Sequence, residues 1–325
     1  MIESNENTVM PTDSPRLVVI IPTHGRPDLL ERTLDSLAEC AIPPSLKCIR
    51  VVENGGKHGA EECVRKYAGK FDVEYLFYPR GNKSAALNHA MEDLDDELVV
   101  YFDDDVRIAP GTLNAYHECL GGIREKTFFG GPFACDYDVP PPDWLLDFLP
   151  VSARGWVSHD GRAFGRDSTF FGCNWAAFAD DIRALGGFDA RVGPGGDIGA
   201  TGQETDMQVR LRAAGFQPQY VAGAMVWHYV PESRCSPEWA IGRIHRQSVY
   251  SGFNSPPFAR SLLGVPPWIL RRLLQRTGVL LKTYISRDPE LRFKARFSLT
   301  ETLGEIRGMM QRRQSSGRSP AANRG

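Results

Sequence analysis

The first hundred residues alternate between short apolar runs and segments whose apolar residues recur every three or four positions. The runs are rich in Val, Ile and Leu, which is typical of strands buried on both faces. The predicted strands are Leu17–Ile21, Cys48–Val52, Val73–Tyr78 and Leu98–Phe102. Helices are predicted from Pro27, over Glu61–Tyr67 and from a capping Ser84. This alternation predicts right-handed crossovers and an α/β fold on a mainly parallel sheet.

The pattern changes after residue 105, where shorter apolar stretches are mixed with glycine-rich loops. Further strands are predicted over Phe128–Cys135, Ser168–Phe178 and Gln219–His228. A helix is predicted between Thr201 and Gly215, and helical periodicity then continues from about Pro237. We therefore expect a disordered tail over 1–15, an α/β domain over 16–236, a helical extension over 237–313 and a disordered tail over 314–325.

Polar clusters follow the predicted strands at the points where these strands end. The clusters are Thr23–Arg26, Glu53–Gly56, Arg80–Lys83 and Asp103–Asp105. The carboxyl ends of parallel strands meet at one edge of the sheet, and open α/β sheets bind their ligands there. The sequence therefore predicts a ligand site built from these four loops.

Three consecutive aspartates follow the fourth predicted strand directly. Strand alternation would point Asp103 and Asp105 to one side and Asp104 to the other. Adjacent carboxylates repel one another unless a positive charge compensates them, and hard oxygen ligands favour Mg²⁺ or Mn²⁺. Metal binding and a simple acidic turn are both compatible with the spacing.

Other candidate residues also have two interpretations from sequence alone. Thr201 and Glu204 match a helix capping box, but the Glu204 carboxylate is also a candidate general base. His228 ends an apolar run, either as a structural residue or as a ligand. Arg80 and Lys83 precede a helix, where they would meet phosphate or form a solvated basic loop.

Taken together, these segments resemble the family 2 glycosyltransferases of the GT-A fold over roughly residues 16 to 235. The similar segments near the start of the chain are Val19–Pro27, Glu53–Gly55, Arg80–Asn88 and Asp103–Asp105, the last as the DxD element. Those further along are Gly172–Ala176, Gly186–Asp189, Gly202–Asp206 with Arg210-Leu211, and Val226–His228. Their order along the chain is that of the family.

The resemblance implies metal-dependent transfer from a nucleoside-diphosphate sugar to an acceptor hydroxyl on a glycan or a lipid-linked glycan. It implies a Rossmann-like, mainly parallel sheet, flanked by helices and followed by the helical extension. The implied donor-binding residues are Pro22, Thr23, Arg26, Glu53, Arg80, Lys83, Asp103, Asp104, Asn174 and Trp175. The implied metal ligands are Asp103, Asp105 and His228, with Mg²⁺ or Mn²⁺ as the ion, and Glu204 is the implied base of an inverting reaction.

The chain departs from the family pattern at two acids. Gln203-Glu204 stands where the family often has Glu-Asp, and Glu53 stands where Asp is common, so each carboxylate reaches one methylene further. Three other functions stay open: a retaining GT-A transferase, a nucleotidyltransferase, and a non-catalytic sugar-nucleotide-binding protein. The nucleotidyltransferase interpretation leaves the Glu204 and His228 segments unexplained.

The net charge of −2 conceals an uneven distribution. Residues 260–325 carry 14 Lys or Arg and 4 Asp or Glu, so this segment is +10 and the preceding chain is −12. Basic and apolar residues mixed over 260–313 suit either an anionic membrane surface or a helical cap on the acidic domain. A nucleic-acid partner is not expected, since no recognition motif accompanies the charge.

Composition and cysteine content place the chain among globular proteins. It is 42% hydrophobic and 24% charged, and its seven cysteines form no CxxC pair. The polar start lacks an apolar signal core, and no apolar run is long enough to span a bilayer. We expect a cytoplasmic protein, bound peripherally at the inner face of the cell membrane if the basic segment meets lipid.

Overall fold

The computed structural model describes residues 15–121, 126–157, 169–197, 202–285 and 288–316. Both predicted tails fall largely outside these ranges. The chain divides into two compact units. The first comprises the chain up to Asp136 together with Arg154–Tyr229, and the second comprises Tyr137–Ala153 together with the chain from Val230 onward. The boundary expected at 236 therefore lies at Tyr229, and the short segment 137–153 belongs with the C-terminal helices.

The strands of the described residues all belong to one large sheet and one small sheet. They are β1 (Leu17–Thr23), β2 (Leu46–Asn54), β3 (Val73–Tyr78), β4 (Leu98–Phe102), β5 (Val106–Ile108), β6 (Thr127–Gly130), β7 (Phe133–Tyr137), β8 (Asn174–Phe178), β9 (Gln217–Tyr220) and β10 (Val226–Val230). Over the described ranges, the large sheet has the order β3-β2-β1-β4-β8-β6-β9 and the small one β5-β10-β7. Only β8 runs antiparallel to its neighbours in the large sheet. The predicted α/β fold is thereby confirmed.

The helices of the first unit lie between these strands. They are α1 (Pro27–Ala38), α2 (Ala60–Arg65), α3 (Lys83–His89), α4 (Thr112–Glu118), α6 (Ala179–Ala184) and α7 (Gln203–Ala213). Side chains of β1 alternate between two cores: Val19 and Ile21 pack in one with α1 and α2, and Val18 and Ile20 in the other with α3, α6 and α7. Helices therefore cover both faces of the sheet, which explains why β1 is apolar throughout.

Two predicted strands are each divided into two. The stretch 128–135 breaks at Gly131–Pro132, and the stretch 219–228 breaks between Tyr220 and Val226. A Cβ at Gly131 would stand 2.1 Å from the carbonyl oxygen of Ala224. The two breaks therefore lie against each other, and position 131 requires glycine. After each break the chain leaves the large sheet and enters the small one.

The second unit is helical. Its helices are α5 (Asp143–Leu146), α8 (Pro237–Asn254), α9 (Pro267–Thr283) and α10 (Pro289–Ser316). Helices α8 and α10 approach backbone to backbone, because a Cβ at Gly252 would stand 2.1 Å from the Glu305 carbonyl and one at Gly308 2.0 Å from that of Val249. Trp144 stacks edge-on against Phe293, which attaches α5 to α10. Within the described ranges, no helix combines the length and apolar character needed to cross a bilayer.

Candidate functional site

The ends of β1, β2 and β4 meet at one edge of the large sheet, as predicted. A cleft of about 290 Å³ opens there. Its lining residues are Pro22, Thr23, His24, Arg26, Asn54, Gly81, Lys83, Asp103, Pro194 and Gly195. Five of the predicted donor-binding residues, Pro22, Thr23, Arg26, Lys83 and Asp103, are thus brought together in one cleft.

The aspartate triplet is held by two basic residues of this cleft. Lys83 Nζ lies 2.5 Å from Asp103 Oδ1, while the Arg26 guanidinium contacts both Asp104 and, at 2.8 Å, Asp105 Oδ2. Thr23 Oγ1 donates a second hydrogen bond, of 2.7 Å, to Asp104. Because β4 ends at Phe102, strand alternation does not extend into the triplet, and Asp104 and Asp105 share one guanidinium.

Burial and ion pairing act against each other at these carboxylates. Burial would raise the pKa of Asp103, but the Lys83 ammonium outweighs it and holds this pKa below its usual value. Burial dominates at Asp104 and raises its pKa to about 6, despite the opposing charge of Arg26. Burial would lower the pKa of Lys83, yet the carboxylates of Asp103 and Glu204 raise it. Asp103 and Lys83 therefore form a charged pair.

Asp105 and His228 present the features that a cation requires. The register of β10 against β5 sets His228 opposite Val106, so that its Nε2 lies 3.6 Å from Asp105 Oδ1. Among the described residues this buried oxygen has no hydrogen-bond partner. An orphaned carboxylate oxygen beside an imidazole fits Mg²⁺ or Mn²⁺.

The predicted metal set of Asp103, Asp105 and His228 is not assembled as a cluster. Within the described parts of the chain, no group of three His, Cys, Asp or Glu side chains is arranged to hold a metal ion. The physical reason is the Lys83–Asp103 pair, which occupies the third carboxylate. Asp105 and His228 remain as the pair that fits the ion.

Helix α3 carries two side chains that bind the loop after Gly187. Ser84 Oγ donates to the Val192 carbonyl at 2.6 Å, and Asn88 bonds both the amide and the carbonyl of Phe188 at 2.8 Å. The N-cap of α3 is Asn82, which accepts from the Ala85 amide, and not the predicted Ser84. The polar positions of the Arg80–Asn88 segment therefore dock the loop that follows Gly187.

The docked loop comes very close to the backbone of the loop before α3. Gly195 has φ +81°, and a Cβ there would stand 1.7 Å from the Gly81 carbonyl oxygen. The Lys83 amide also donates to the Pro194 carbonyl at 3.1 Å. These contacts place Pro194 and Gly195 in the wall of the cleft.

Glu204 lies next to the cleft in a smaller cavity. Together with it, Pro22, Lys83, Leu87, Tyr101, Phe102, Asp103, Gly172, Trp175, Phe188 and Gln203 line this cavity. A Cβ at Gly172 would stand 2.8 Å from the Glu204 carboxyl carbon, so glycine makes room for the acid. Burial raises the pKa of Glu204, although the Lys83 ammonium opposes that shift.

The capping interpretation of Glu204 is weakened by the position at which α7 begins. The N-cap is Gly202 and the helix starts at Gln203, so Glu204 is the second helical residue and not the third that a capping box requires. Thr201, the other member of the predicted box, lies outside the described residues.

Four predicted donor-binding residues line neither the cleft nor the Glu204 cavity. The buried Glu53 carboxylate accepts from the Tyr75 hydroxyl at 2.7 Å and from the His58 amide at 2.6 Å, so it holds the loop after β2. Arg80 is exposed and does not line the cleft. Asp104 is fully buried and supports Arg26. A ligand in the cleft would meet Asn54 in place of Glu53.

Asn174 is the fourth of these residues, and its amide is used entirely within the fold. Its Nδ2 donates to the carbonyls of Pro132 and Ala224 at 2.9 and 2.6 Å, and its Oδ1 accepts from the Tyr116 hydroxyl at 2.8 Å. Trp175 is buried and stacks on Tyr101, but it reaches the Glu204 cavity. The prediction for Asn174 was therefore wrong in orientation, while Trp175 lies near the candidate base.

Four residues of the cleft were not predicted from the sequence: His24, Asn54, Pro194 and Gly195. His24 Nδ1 lies 2.6 Å from the Asn54 carbonyl, which only accepts, so Nδ1 is the donor, and in the Nδ1–H tautomer Nε2 is an acceptor. His24 and Asn54 lie inside segments that the sequence already assigned to the site, and this position was the only indication in the sequence that they line the cleft. Nothing local in the sequence brings residues 194 and 195 to the cleft.

Known proteins resemble this chain in sequence and in fold. The Glycosyl transferase family 2 profile matches residues 18–178. The succinoglycan biosynthesis protein ExoM of Rhizobium meliloti (strain 1021) is 25% identical over 312 residues, which cover 93% of this chain and 95% of ExoM. The glycosyltransferase AglE of Haloferax volcanii is 23% identical over 285 residues, covering 83% of this chain and 88% of AglE.

A solved structure extends the likeness to the fold. The mannosyltransferase PcManGT of Pyrobaculum calidifontis, in complex with GDP-Man and Mn²⁺, aligns with a TM-score of 0.52 at 18% identity. The alignment covers 93% of this chain and 88% of PcManGT. The family match, the order of the motifs and the sheet agree: this chain is a glycosyltransferase that matches the family 2 profile over residues 18–178 and has the GT-A fold.

Proposed function

We propose that the enzyme transfers a sugar from a nucleoside-diphosphate sugar to an acceptor hydroxyl with inversion at the anomeric carbon. One observation carries the proposal. Lys83 stands between two carboxylates, Asp103 at the donor cleft and Glu204 in the adjoining cavity, and their pKa values are shifted in opposite directions. Acid and base roles are separated by environment in this way in many enzymes.

The cleft suits the donor's nucleotide and diphosphate. Lys83 and Arg26 supply two positive charges, each now neutralised by aspartate. A bound diphosphate would draw these cations toward itself, because charge-assisted bonds to phosphate are strong. The His24 ring offers its Nε2 as an acceptor for a ribose hydroxyl or a base N–H group.

Asp105 and His228 are the residues that would hold the metal ion. The bound Mn²⁺ in the PcManGT complex with GDP-Man supports a divalent ion for this chain too. Such an ion would stabilise the negative charge that develops on the departing diphosphate. Mg²⁺ and Mn²⁺ both suit the carboxylate and imidazole donors.

Glu204 would act as the general base. Its raised pKa makes the carboxylate a better proton acceptor than an exposed glutamate, and Lys83 stabilises its charged form. The carboxylate takes the acceptor hydroxyl proton while that oxygen forms its bond to the anomeric carbon. The bond between this carbon and the diphosphate oxygen breaks at the same time, and Lys83 and Arg26 can bind the leaving group.

The acceptor is proposed to be a glycan or a lipid-linked glycan, and the process polysaccharide synthesis. ExoM, which aligns over 95% of its length, is named for succinoglycan biosynthesis. A lipid-linked acceptor would place the enzyme at the inner face of the cell membrane, with the basic segment 260–313 as the contact. The retaining alternative would require a different role for Glu204.

The donor proposal is tested by thermal shift with a panel of nucleotide sugars, with and without Mn²⁺. A ligand that prefers the native state raises the melting temperature. At one hundred times its Kd it adds about 2.7 kcal/mol to the free energy of unfolding. Asp105→Asn should abolish the Mn²⁺-dependent part of the shift. Asp95→Asn is the matched control, because Asp95 is exposed and pairs only with Arg183 at 3.2 Å among the described residues. A full Mn²⁺ effect in Asp105→Asn would contradict the metal assignment.

The catalytic proposal is tested with Glu204→Gln. This variant keeps the shape of the side chain, so the donor Kd should stay within about twofold of the wild type, while kcat falls by about 10²–10⁴. Asp206→Asn, two positions along α7 in the pair with Arg210, controls for changes to the helix. Unchanged turnover in Glu204→Gln would show that Glu204 is structural.

A further inference from the structure

The second unit contains an exposed turn with an unusual backbone. Leu262 and Val265 exchange two backbone hydrogen bonds of 2.9 Å, and the two residues between them both have positive φ, +54° at Leu263 and +86° at Gly264. A type I′ turn requires this pair of angles, and Asn, Asp or Gly is favoured at the first position. Leu263 is the only residue other than glycine with positive φ in the described ranges. The strain there brings no burial: Leu263 is 55% exposed and Leu262 66%.

The helix that follows this turn leaves several apolar side chains exposed. Ile269 and Thr283 of α9 are buried, and Arg276 bonds to Glu301 and Thr302 of α10. Away from these contacts, Leu274 is 74% exposed and Leu281 62%. Trp268 and Val279 of α9, and Tyr284 and Ile285 just after it, add further exposed apolar area. These residues follow the turn in sequence, and in the described structure their side chains lie on the surface.

Basic residues surround the exposed apolar surface. Arg260 and Arg271 line a depression of about 480 Å³ next to Phe258 and Trp268. No carboxylate of the described residues lies within ion-pairing distance of Arg260, Arg271 or Lys282, whereas Arg272 and Arg276 of the same helix are paired with α10. Among Arg260 and the cations of α9, those without an ion pair are therefore the ones beside exposed apolar residues.

We propose that the Leu262–Val265 turn and the exposed apolar and basic side chains of α9 dock the enzyme on an anionic membrane surface. Leu262 and Leu263 enter the acyl boundary, Trp268 lies at the headgroup level, and Arg260, Arg271 and Lys282 contact lipid phosphates. Apolar residues flanked by unpaired cations are the composition of interfacial anchors. A second copy of the chain fits less well, because it would bring two basic surfaces together. The inference deepens the membrane contact proposed above by naming the residues that form it.

The test measures binding of the full chain to vesicles of phosphatidylcholine with about one third anionic phosphatidylglycerol. Binding is expected to need the anionic lipid and to weaken as salt rises from about 0.1 M to 0.5 M. Arg260→Gln with Arg271→Gln should weaken binding by about fivefold for each charge removed. Arg296→Gln with Arg307→Gln on α10 is the matched control, since both arginines are exposed.

Leu263→Asn separates membrane docking from a structural role. It creates Asn-Gly, the favoured type I′ pair, so the melting temperature should stay the same or rise. Vesicle binding should fall about tenfold or more, because an inserted apolar side chain is lost. A lowered melting temperature with unchanged vesicle binding would overturn the proposal.

Two further outcomes would also overturn it. One is equal binding to neutral and anionic vesicles. The other is that the wild type does not bind vesicles but self-associates in sedimentation experiments, and that Leu263→Asn abolishes this self-association. That result would assign the surface to a second copy of the chain. Neither assay measures sugar transfer, so a failure here leaves the proposed reaction standing. If the donor or Glu204 tests fail, the membrane-docking proposal likewise still stands.

Discussion

Substitution of Asn174 tests whether its side-chain amide stabilises the fold or contacts the substrate. The structure allows the expected loss of folding stability to be worked out. Asn174→Ala would leave two buried groups without this partner, the Tyr116 hydroxyl and the Ala224 carbonyl, while the Pro132 carbonyl keeps the Val226 amide at 3.3 Å. An unsatisfied buried polar group costs about 1–3 kcal/mol. Because the Ala224 carbonyl keeps a second lone pair, we take the lower part of that range for each of the two groups and expect a loss of about 2–4 kcal/mol.

A double-mutant cycle with Tyr116→Phe tests this assignment. Tyr116→Phe alone should cost about 1 kcal/mol, since one hydrogen bond is lost. In the Asn174→Ala background the same change should be neutral or stabilising, because it removes a hydroxyl that has already lost its acceptor. The expected coupling between the two sites is therefore about 1–2 kcal/mol.

The assay is unfolding in guanidinium chloride, with nucleotide binding measured in parallel. Tyr116→Phe should leave nucleotide affinity unchanged, because Tyr116 is fully buried and does not line the cleft. The reasoning is refuted if Asn174→Ala keeps wild-type stability within about 0.5 kcal/mol and yet loses donor binding. That result would restore the substrate role predicted from the sequence.

Three further predictions concern the cleft and its base. Gly195→Ala should weaken donor binding at least about tenfold, because its Cβ would meet the Gly81 carbonyl. Gly186 has a similar positive φ but open space around it, so Gly186→Ala should show only the backbone strain that both variants share, about 1–2 kcal/mol. Equal effects of the two variants in nucleotide titrations would contradict the docking contact. Asn88→Ala should raise KM for the donor more than it lowers kcat, since it frees the backbone at Phe188 without touching the reacting groups; steady-state kinetics check this, and an effect on kcat alone would contradict it. Transfer should increase with pH through a pKa above the ordinary glutamate value, because the active form of Glu204 is deprotonated and burial raises its pKa; the pH–rate profile should lose this limb in Glu204→Gln.

The sheet and its binding edge were predictable because their determinants are local. β1 is apolar in every position from Leu17 to Ile21, and this pattern requires cover on both faces. Leu30, Leu34 and Leu37 recur at helical spacing and pack in one core, as expected of α1. The loops at the strand ends then follow from the parallel topology.

Side-chain directions within the site were not predictable because distant partners set them. Glu53 is turned inward by Tyr75 on the neighbouring strand, and Asn174 by Tyr116, which lies 58 positions earlier in the chain. Asp104 faces Thr23 and Arg26 because β4 ends one residue before the triplet. A motif places a residue near the site, but these long-range bonds decide which of its atoms face the ligand.

The extent of the second unit was hidden for the same reason. Trp144 and Phe148 contact Phe293, about 150 positions later, through edge-on aromatic packing. No periodicity in the sequence links the segment 137–153 to the helices after Val230. The sequence pattern therefore placed the boundary a few residues late and missed the earlier segment.

The anomeric configuration of the transferred sugar tests the central claim most directly. Proton NMR recorded early in the reaction, before mutarotation, would follow the sugar released when water replaces the acceptor, with a donor identified in the Mn²⁺ panel. A single displacement with Glu204 as base predicts inversion, and Glu204→Gln should abolish the signal while still binding the donor. Release with the donor's own configuration would contradict the assignment of Glu204 and favour a retaining transferase.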